Sequence, residues 1–446
     1  MLGCVKTLQY FFIKKHKKIS TKTQYPLQLN HHNIREGMLV LVLIKDYTEK
    51  CLKLEDVILE KFENINGEQH IYVSMPLKEH ACPRCGAVTK KIKDYYNQKI
   101  KDLEANGDRV FIHVHKRRYV CKECCKTFFE ENSFLMRYKR ATKRFYLKII
   151  EETQSMQTFT QIACRYNVSI SHVRNLFKVI SYPRPTLPAI ISIDEFKGNA
   201  NGERFQCILT NPETHEVLDI LPSRNPEQLR AYFLKFSRKE RANVNAIAMD
   251  MSAIFRSVAK DLFPEAQIVV DKFHLIRLIT WALDKVRRRI QKKMNSYNRK
   301  SFKRSKSLLL TPNHKLSPED KLVVNRMLNM SPDLSHAYAL KEAFYNIFKS
   351  NSAKEAKTAL GKWIWYAEKV GLYEFRSCKR TINQWFKGIS NIFKYNVSNG
   401  FTEGYNNKIK VLKRISYGYR SFDTFRNRIL FIQTTKKADT NFSVSA

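Results

Sequence analysis

VNAIAMDMSAIFRSVAKDLFPEAQIVVD, residues 244–271, is the stretch that decides the fold of this chain. Its first six residues and residues 267–270 are apolar runs that predict two buried strands, and residues 252–262 between them have helical periodicity. Each run is followed directly by an aspartate, Asp250 after the first and Asp271 after the second. The pattern predicts a strand–helix–strand unit that holds acids at the edge of a sheet.

The sequence around this unit extends the sheet. Three further apolar runs predict strands, and two segments predict helices: strands 189–193, 205–210 and 216–221, a helix over 226–239 and a long helix from near His274. The resulting order, βββαβαβα, is that of a ribonuclease-H-like α/β sheet. The first of these runs ends on Asp194, so the predicted sheet carries acids at the ends of separate strands.

Asp194 and Asp250 are candidate metal ligands. Carboxylates held rigidly at a sheet edge bind Mg²⁺ or Mn²⁺ through oxygen. Two such metals about 4 Å apart activate an attacking oxygen and stabilise the leaving one in phosphodiester displacement. The alternative is that aspartates at strand ends form turns or cap helices. Asp271 is open to the same two interpretations.

A further acid lies near the C-terminus, in SNGFTEGYNNKIKVLKR, residues 398–414. A helix from Thr402 would place four polar residues on one face: Glu403, Asn407, Lys410 and Arg414. Glu403 is then either an ordinary ion-pair partner or a metal ligand beside groups that hold phosphates. The segment alone leaves both interpretations open.

The charge of the chain is its strongest compositional feature. Lys and Arg number 80 against 41 Asp and Glu, a net charge of +39. A protein this basic needs a polyanionic partner, most often nucleic acid. Residues 277–306 concentrate this charge and predict a basic amphipathic helix followed by a basic loop. Ribosomal-type solvation and, for that segment, calmodulin or membrane-surface binding are the alternatives.

Four of the ten cysteines form two C-x-x-C pairs: Cys82, Cys85, Cys121 and Cys124. Two such pairs supply the four thiolates that structural Zn²⁺ requires. Between them the sequence predicts two strands that turn at residues 106–108. Disulfides or redox chemistry are the alternatives, and Cys125 could replace Cys124. His113 and His115 alternate with apolar residues, so they are predicted to lie on the polar face of a strand.

A helix-turn-helix is predicted over residues 158–178. Two short amphipathic helices are separated at residues 167–169, with Ala163 permitting a close crossing. An ordinary helical hairpin is the alternative. In a DNA-binding helix-turn-helix, the residues that face outward at the second helix are the DNA contacts: Ser171, His172, Arg174, Asn175 and Lys178.

Four segments together resemble the bacterial insertion-sequence transposases of the ISL-three (ISL3) family: Ile193-Asp-Glu-Phe196, Met249-Asp-Met-Ser252, Asp271-Lys-Phe-His274 and residues 398–410. The order of zinc knuckles, helix-turn-helix and split catalytic domain is also that of the family, over about residues 45–435. The resemblance implies a DDE triad, which position by position is Asp194, Asp250 and Glu403. Asp271 and His274 are interpreted as auxiliary.

The resemblance and the patterns together predict a multidomain α+β chain with these boundaries: an N-terminal arm (1–44), a zinc ribbon (45–135), a helix-turn-helix domain (136–182), a ribonuclease-H-like catalytic domain (189–275), an all-helical insertion (276–395) and a last catalytic segment with the C-terminal tail (396–446). The insertion is expected to bring Glu403 back to the two aspartates.

The expected function is that of a DNA transposase. It would bind the terminal inverted repeats of a mobile element and carry out metal-dependent strand cleavage and transfer into target DNA, with Mg²⁺ or Mn²⁺ catalytic and Zn²⁺ structural. Pairing of two ends suggests at least a homodimer on DNA. No apolar segment reaches the length of a membrane span, and a cytoplasmic, nucleoid-associated protein is expected. The alternatives are an inactive DNA-binding regulator and a ribonuclease-H-like nuclease or resolvase.

Overall fold

The computed structural model describes residue 54 and residues 56–136, 138–304, 306–395, 397 and 399–433. Several parts of the sequence-based predictions lie outside these residues: the N-terminal arm, Ser398 and the tail from residue 434. The chain forms two compact units, one ending at Leu147 and the other beginning at Lys148.

The first unit is built on strands. Their bounds are β1 (Ile58–Ile65), β2 (Glu68–Ser74), β3 (His80–Ala81), β4 (Val88–Thr89), β5 (Ile92–Lys101), β6 (Arg109–Val120) and β7 (Thr127–Phe129). The main sheet has the order β1-β2-β6-β5, with β7 paired to β6, and β3 and β4 form a separate pair. The predicted turn between β5 and β6 is confirmed, since Asn106 and Gly107 have φ of 56° and 85°.

One face of this sheet carries the core of the first unit. Ile112 and Val114 of β6 are fully buried together with Ile71 and Val73 of β2. The alternating positions of β6, His113 and His115, are half-buried. The period of two is that of a strand with one buried face, so the interpretation of the two histidines as residues of the opposite face is confirmed.

Three helices follow in sequence: α1 (Lys143–Glu152), α2 (Phe159–Arg165) and α3 (Ile170–Phe177). Thr158 caps α2 in a capping box with Gln161, and Ser169 caps α3 by accepting a hydrogen bond from the His172 backbone N–H at 3.1 Å. The predicted break between the two helices is confirmed. Ala163 of α2 and Val173 of α3 are buried, as the amphipathic pattern requires.

The second unit contains a mixed sheet. Its strands and the first helices are β8 (Ile190–Phe196), β9 (Gln206–Asn211), β10 (Glu216–Leu221), α4 (Pro226–Phe233), α5 (Arg238–Ala242), β11 (Ala246–Met249), α6 (Ala253–Leu262) and β12 (Gln267–Val270). The strand order is β10-β9-β8-β11-β12. β8, β11 and β12 are parallel, and β9 and β10 are antiparallel to their neighbours.

Two details of the predicted sheet are wrong. The helix expected over residues 226–239 is two helices, because Ser237 caps a new one. Asp194 does not end its strand: β8 continues to Phe196, since the hairpin with β9 pairs Asp194 with Ile208 and Phe196 with Gln206. The carboxylate is therefore fixed by strand pairing on both sides of it.

A long helical segment follows β12. Its helices are α7 (Lys272–Lys292), α8 (Ser296–Arg304), α9 (Lys306–Leu310), α10 (Pro318–Asn329), α11 (Pro332–Ile347), α12 (Ala353–Val370), α13 (Tyr373–Gln384) and α14 (Phe386–Tyr395). The basic loop predicted after α7 is wrong, because α8 and α9 lie there.

The helical segment and the sheet share one hydrophobic core. Buried side chains of β8, β12, α11 and α12 belong to a single cluster. The contact with β12 is close at Gly388 of α14, where a Cβ atom would come within 3.0 Å of Val270. Asn391 of the same helix donates a hydrogen bond of 2.8 Å to the Ile268 carbonyl. Helix α14 is therefore docked directly on the edge strand.

Two last helices cover the sheet: α15 (Gly400–Ile415) and α16 (Phe422–Gln433). Tyr405 and Ile409 of α15 form a core cluster with Ile208 of β9 and Phe425 of α16. The Tyr405 hydroxyl donates to the Ile429 carbonyl at 2.9 Å. The C-terminal helix that carries Glu403 is thereby part of the second unit. Among the described residues, every helix is too short or too polar to cross a membrane.

Candidate active site

Three acids lie at one level of the second sheet. The strand register aligns Met249 of β11 with Ile193 of β8 and with Val270 of β12. The residue that follows each of these three is an aspartate: Asp194, Asp250 and Asp271. Adjacent strands are about 4.8 Å apart. The three carboxylates therefore occupy neighbouring positions at the edge of the sheet. The sequence predicted this placement for Asp250 and Asp271, which follow the two strands of the strand–helix–strand unit.

The acids repel one another electrostatically. Burial raises the pKa of Asp194 to about 6, and Asp250 and Asp271 act in the same direction. Burial also raises the pKa of Asp250, with further contributions from Glu195 and Asp271. His274 opposes both shifts, because its positive charge favours the ionised carboxylates. A bound cation would relieve the same repulsion.

Asp271 and His274 form a pair at the start of α7. Asp271 caps the helix, since its Oδ1 accepts a hydrogen bond from the Phe273 backbone N–H at 3.1 Å. Its Oδ2 lies 2.8 Å from His274 Nδ1, and this bond raises the pKa of the histidine. The capping role that the sequence left open is therefore present, and the cap also holds a cationic ring beside the other acids.

Helix α15 and its N-cap residue Asn399 contact the neighbouring strands β8 and β9 through three hydrogen bonds. The Ser192 hydroxyl donates to Asn399 Oδ1 at 2.8 Å. The hydroxyls of Thr210 and Thr402 are 2.8 Å apart. Asn406 Nδ2 then donates to Asp194 Oδ2 at 2.9 Å. These side chains lie about one turn apart on the helix, so one face of α15 is fixed over the strand that carries Asp194.

Glu403 lies between the last two of these contacts. It follows Thr402 and precedes Asn406 by three residues, but its side chain is exposed. Within the described part of the chain, the only three or more metal-ligating side chains with ligand atoms within 4.8 Å of one another are cysteines. The structure thus brings the helix of Glu403 to Asp194 but does not bring its carboxylate to metal-sharing distance of both aspartates.

Asn406 is a residue of the site that the sequence reasoning missed. The predicted polar face of α15 is the exposed one, whereas Asn406 lies on the buried face with Thr402 and Ile409. Its Oδ1 is buried without a hydrogen-bond partner among the described residues. The available signal was the spacing, since Thr402, Asn406 and Ile409 recur at helical intervals.

Arg224 is a second residue that the sequence reasoning missed. Its Nη1 donates to Glu195 Oε2 at 2.8 Å, and its guanidinium carbon lies 4.6 Å from the centre of the Phe205 ring. Glu195 raises the pKa of Asp250, so this ion pair borders the acids. The arginine is a positive group beside the site, which a phosphate could engage.

The four predicted zinc ligands lie together in the first unit. Cys82 Sγ is 3.5 Å from Cys124 Sγ, and Cys85 Sγ is 3.5 Å from Cys121 Sγ. A tetrahedral zinc with Zn–S bonds of 2.3 Å separates its sulfurs by about 3.8 Å, so the donor set fits a structural zinc. Cys124, not its neighbour Cys125, completes the group. The knuckle turn needs Gly86, whose φ is 75°.

Comparison with known proteins assigns the chain to a protein family. A family model described as a transposase of the ISL3 group matches residues 191–429, more than half of the chain. The chain belongs to the ISL3 family of transposases. A second model, described as the zinc-finger of transposase IS204/IS1001/IS1096/IS1165, matches residues 78–124, which include all four zinc-site cysteines. The predicted resemblance is confirmed.

Relatives that are named as transposases agree with this assignment. The transposase for insertion sequence element IS1001 of Bordetella parapertussis is 26% identical over 363 residues, 80% of this chain and 89% of that protein. The transposase for IS1557 of Mycobacterium tuberculosis is 23% identical over 254 residues, 52% of this chain and 57% of that protein. A Lactococcus lactis protein named an ATP-dependent protease is 32% identical, over 32% of this chain and 46% of its own length.

The chain is therefore a DNA transposase, an enzyme that acts on DNA, and the alternatives of an inactive regulator or a resolvase are not favoured. A DDE domain implies a divalent metal. The site of this transposase fits one chemically: half-buried carboxylates with raised pKa values supply oxygen ligands, and the buried Asn406 Oδ1 is one more oxygen without a partner among the described residues.

The predicted DNA contacts of this ISL3 transposase occupy two surfaces. On α3 and just after it, Ser171, Arg174, Asn175 and Lys178 are exposed and His172 is half-buried. On α15, Asn407, Lys410 and Arg414 are exposed along with Glu403, and Lys410 Nζ donates to Asn407 Oδ1 at 3.1 Å. Both sets are accessible to a ligand.

Two arginines of α16 have structural roles and are not free to bind phosphates. The Arg428 side chain is 1% exposed, and its Nη2 donates to the carbonyls of Ser155 and Gln157 at 2.9 and 2.6 Å. Arg426 donates to Asp219 Oδ1 at 2.6 Å. Burial lowers the pKa of Arg428. Both arginines tie α16 to its neighbours.

Proposed function

We propose that Asp194, Asp250 and Glu403 form the catalytic DDE site of this transposase, on a ribonuclease-H-like sheet interrupted by the helical segment 276–395. The strand order 3-2-1-4-5, counted along the sheet's own strands, supports this fold. The observation that carries the site is the hydrogen bond between Asn406 and Asp194, because it fixes the helix of Glu403 against the strand of the first aspartate.

The reaction is the cleavage and joining of DNA strands at the ends of the mobile element. Bound Mg²⁺ or Mn²⁺ would supply a nucleophile at neutral pH and stabilise the leaving oxygen. Asp194 and Asp250 hold that charge at the sheet edge, and Asn406 fixes the orientation of the first carboxylate. Glu403, on the same helix as Asn406, would be the third ligand.

Asp271 and His274 assist without being ligands. The bond from Asp271 occupies His274 Nδ1, so Nε2 is the ring atom that takes up or releases a proton. The charged ring also lowers the repulsion among the carboxylates before metal arrives. Both roles belong to a positioning pair at the border of the site.

The predicted boundaries give each remaining part a role in DNA binding. The zinc ribbon (45–135) is a structural module, and the helix-turn-helix (136–182) reads the terminal repeats through Arg174 and Asn175. The exposed face of α15 with Lys410 and Arg414 holds phosphates. Because two ends must be joined, we propose that the protein acts as a homodimer or larger assembly on chromosomal DNA in the cytoplasm.

Metal binding tests the proposed ligand set without requiring turnover. Mn²⁺ titrated into the full-length protein in the presence of end DNA is followed by electron paramagnetic resonance, which separates free from bound Mn²⁺. Asp194→Asn, Asp250→Asn and Glu403→Gln should each weaken binding at least tenfold, whereas Asp423→Asn on α16 should not. Unchanged Mn²⁺ affinity in Glu403→Gln would remove that residue from the ligand set.

A further inference from the structure

The outer face of α7 carries a ladder of alternating aromatic and cationic side chains. Phe273, Arg277 and Trp281 follow one another at intervals of four residues and therefore lie on one face. The rings are 44% and 59% exposed. The Arg277 guanidinium carbon lies between them, 5.7 Å from the centre of the Phe273 ring and 5.0 Å from that of Trp281. These three residues are called the α7 ladder below.

The ladder begins at the acids. Helix α7 starts directly after Asp271, and the Phe273 ring meets the His274 ring edge-on, with centroids 5.7 Å apart. His274 in turn lowers the pKa of Asp194 and Asp250, so it lies beside both. From Phe273 to Trp281 the helix rises by about 12 Å. The ladder is therefore a short surface that leads away from the active site.

The charge around the ladder is positive. Lys285, one further step of four residues along α7, is exposed. The single acid of this helix, Asp284, is buried and is bonded to Arg287 and Arg288. Every ionisable residue on the exposed side of α7 is thus cationic or, at His274, becomes so. Such a surface complements a polyanion. It disfavours a protein partner that has few acidic residues.

We propose that the α7 ladder binds an unpaired strand of DNA next to the scissile phosphate. Aromatic side chains stack only on bases that have left the duplex stack, whereas a duplex offers a helix its phosphates and base edges but not its base faces. Phe273 and Trp281 would stack two bases, and Arg277 would hold the phosphate between them. A length of about 12 Å suits roughly two to four nucleotides. The location beside a cleavage site rests on the proposed function.

The chain supplies a matched control. Trp365 on α12 is 63% exposed, and Lys369 Nζ lies 5.2 Å from the centre of its ring. This pair repeats the exposure and the cation–π chemistry of Trp281, on another helix. A general effect of removing a surface tryptophan would therefore appear in both variants.

The test measures fluorescence anisotropy of labelled oligo-dT and of a labelled blunt duplex of the same length with the full-length, zinc-loaded protein in buffer without added Mg²⁺ or Mn²⁺. Trp281→Ala should weaken oligo-dT binding about tenfold and change duplex binding by less than about twofold. Trp281→Phe should restore most of the loss, and Trp365→Ala should change neither. Unaltered oligo-dT affinity in Trp281→Ala, or equal losses for oligo-dT and duplex, overturns the proposal.

Two other outcomes are informative. If Trp281→Ala alters sedimentation of the protein alone and leaves DNA affinity unchanged, the ladder binds a second copy of the chain and the proposal is wrong. The proposed active site is checked separately by the cleavage activity of Asp250→Asn. If that variant still cuts DNA while Trp281→Ala loses oligo-dT binding, the active-site assignment fails and the single-strand site stands.

Discussion

Asn406 donates a hydrogen bond of 2.9 Å to Asp194, and so joins two residues that lie 212 positions apart in the sequence. The whole helical segment of the second unit lies between these two residues in the sequence. It sets the rotation of α15 about its axis, because only one face of the helix can hold Thr402 and Asn406 against the sheet. Glu403 follows Thr402 directly, so it lies beside that face, with its side chain exposed.

Loss of this bond should impair catalysis more than folding. Asn406→Ala leaves the Asp194 carboxylate without its donor, and removal of such a partner costs about 10–100-fold in activity or metal affinity. The measurement is the single-turnover rate of end cleavage at saturating metal. Asn391→Ala is the matched control, because Asn391 also docks a helix on the sheet but bonds to the Ile268 carbonyl. Equal rate losses in both variants would contradict the account.

The pH dependence of stability should report the half-buried Asp194. Its pKa is raised to about 6 in the folded chain, against about 3.9 when unfolded. The folded state therefore binds more protons, and stability falls as pH rises from about 4 to about 6. In zinc-loaded protein without added Mg²⁺ or Mn²⁺, the stability of Asp194→Asn should rise relative to that of the parent by about 1–2 kcal/mol across this window. Denaturant unfolding measures it, and a pH-independent difference would contradict the burial.

Saturating Mn²⁺ should reverse that trend for the parent. A cation binds the ionised carboxylates, so it stabilises the folded protein most where the acids are deprotonated, above about pH 6. Asp194→Asn should respond less. The melting temperature with and without metal at pH 5 and pH 7.5 provides the comparison, and an equal metal effect in both proteins would argue against a metal site at Asp194.

Zinc should be required for the first unit. Cys82→Ser removes one of four thiolates, so zinc content should fall from about one per chain and residues 54–136 should become sensitive to protease, since structural zinc supplies folding energy directly. Cys125→Ser is the control, because Cys125 is exposed and stands outside the four-sulfur group. Zinc loss in Cys125→Ser with retention in Cys82→Ser would overturn the ligand assignment.

Helix α3 should carry recognition of the element's ends. Arg174→Ala should weaken binding to end DNA by about 1–3 kcal/mol and reduce the preference over unrelated duplex. Arg238→Ala, an equally exposed arginine at the start of α5, is the control. The affinities for end DNA and for unrelated duplex are compared at several salt concentrations. If Arg174 contacted phosphates alone, its removal would lower both affinities alike. If Arg174→Ala keeps the wild-type preference for end DNA over unrelated duplex, α3 has a structural role instead.

The sheet was predictable because its signals are local. The apolar runs before Asp250 and Asp271 are bounded by polar residues, and Ser252 and Asp271 are helix caps that mark where each strand stops. The end of β8 was misjudged for a physical reason. Asp194 and Glu195 interrupt the apolar run, but antiparallel pairing with β9 carries the strand past them to Phe196.

Long-range contacts explain the features that the sequence does not predict. Arginines usually lie at the surface, but Arg428 is buried. Its side chain donates to the carbonyls of Ser155 and Gln157, and its guanidinium carbon lies 5.1 Å from the centre of the Phe159 ring. None of these partners is near it in sequence. Asn406 was not predicted as a residue of the site for the same reason, since nothing beside it in the chain indicates that its partner is Asp194.

The zinc site shows the opposite case. The two C-x-x-C pairs define the four ligands through spacing alone, and the structure brings the same four sulfurs together. The predicted DNA-contact residues on α3 and α15 lie between these two cases. Their exposure followed from helical periodicity, but which of them touch bases depends on a ligand that the sequence does not describe.

Cleavage of end DNA by Asp250→Asn tests the central claim most directly. Full-length parent, Asp250→Asn and the control Asp261→Asn, an exposed acid of α6 that pairs with Arg230, are incubated with a labelled terminal repeat and Mn²⁺, and nicked strands are resolved on a denaturing gel. The account predicts that Asp250→Asn binds the repeat normally and cuts at least about 10³-fold more slowly, while Asp261→Asn cuts like the parent. Metal-dependent nicking by Asp250→Asn at the parental rate would contradict it.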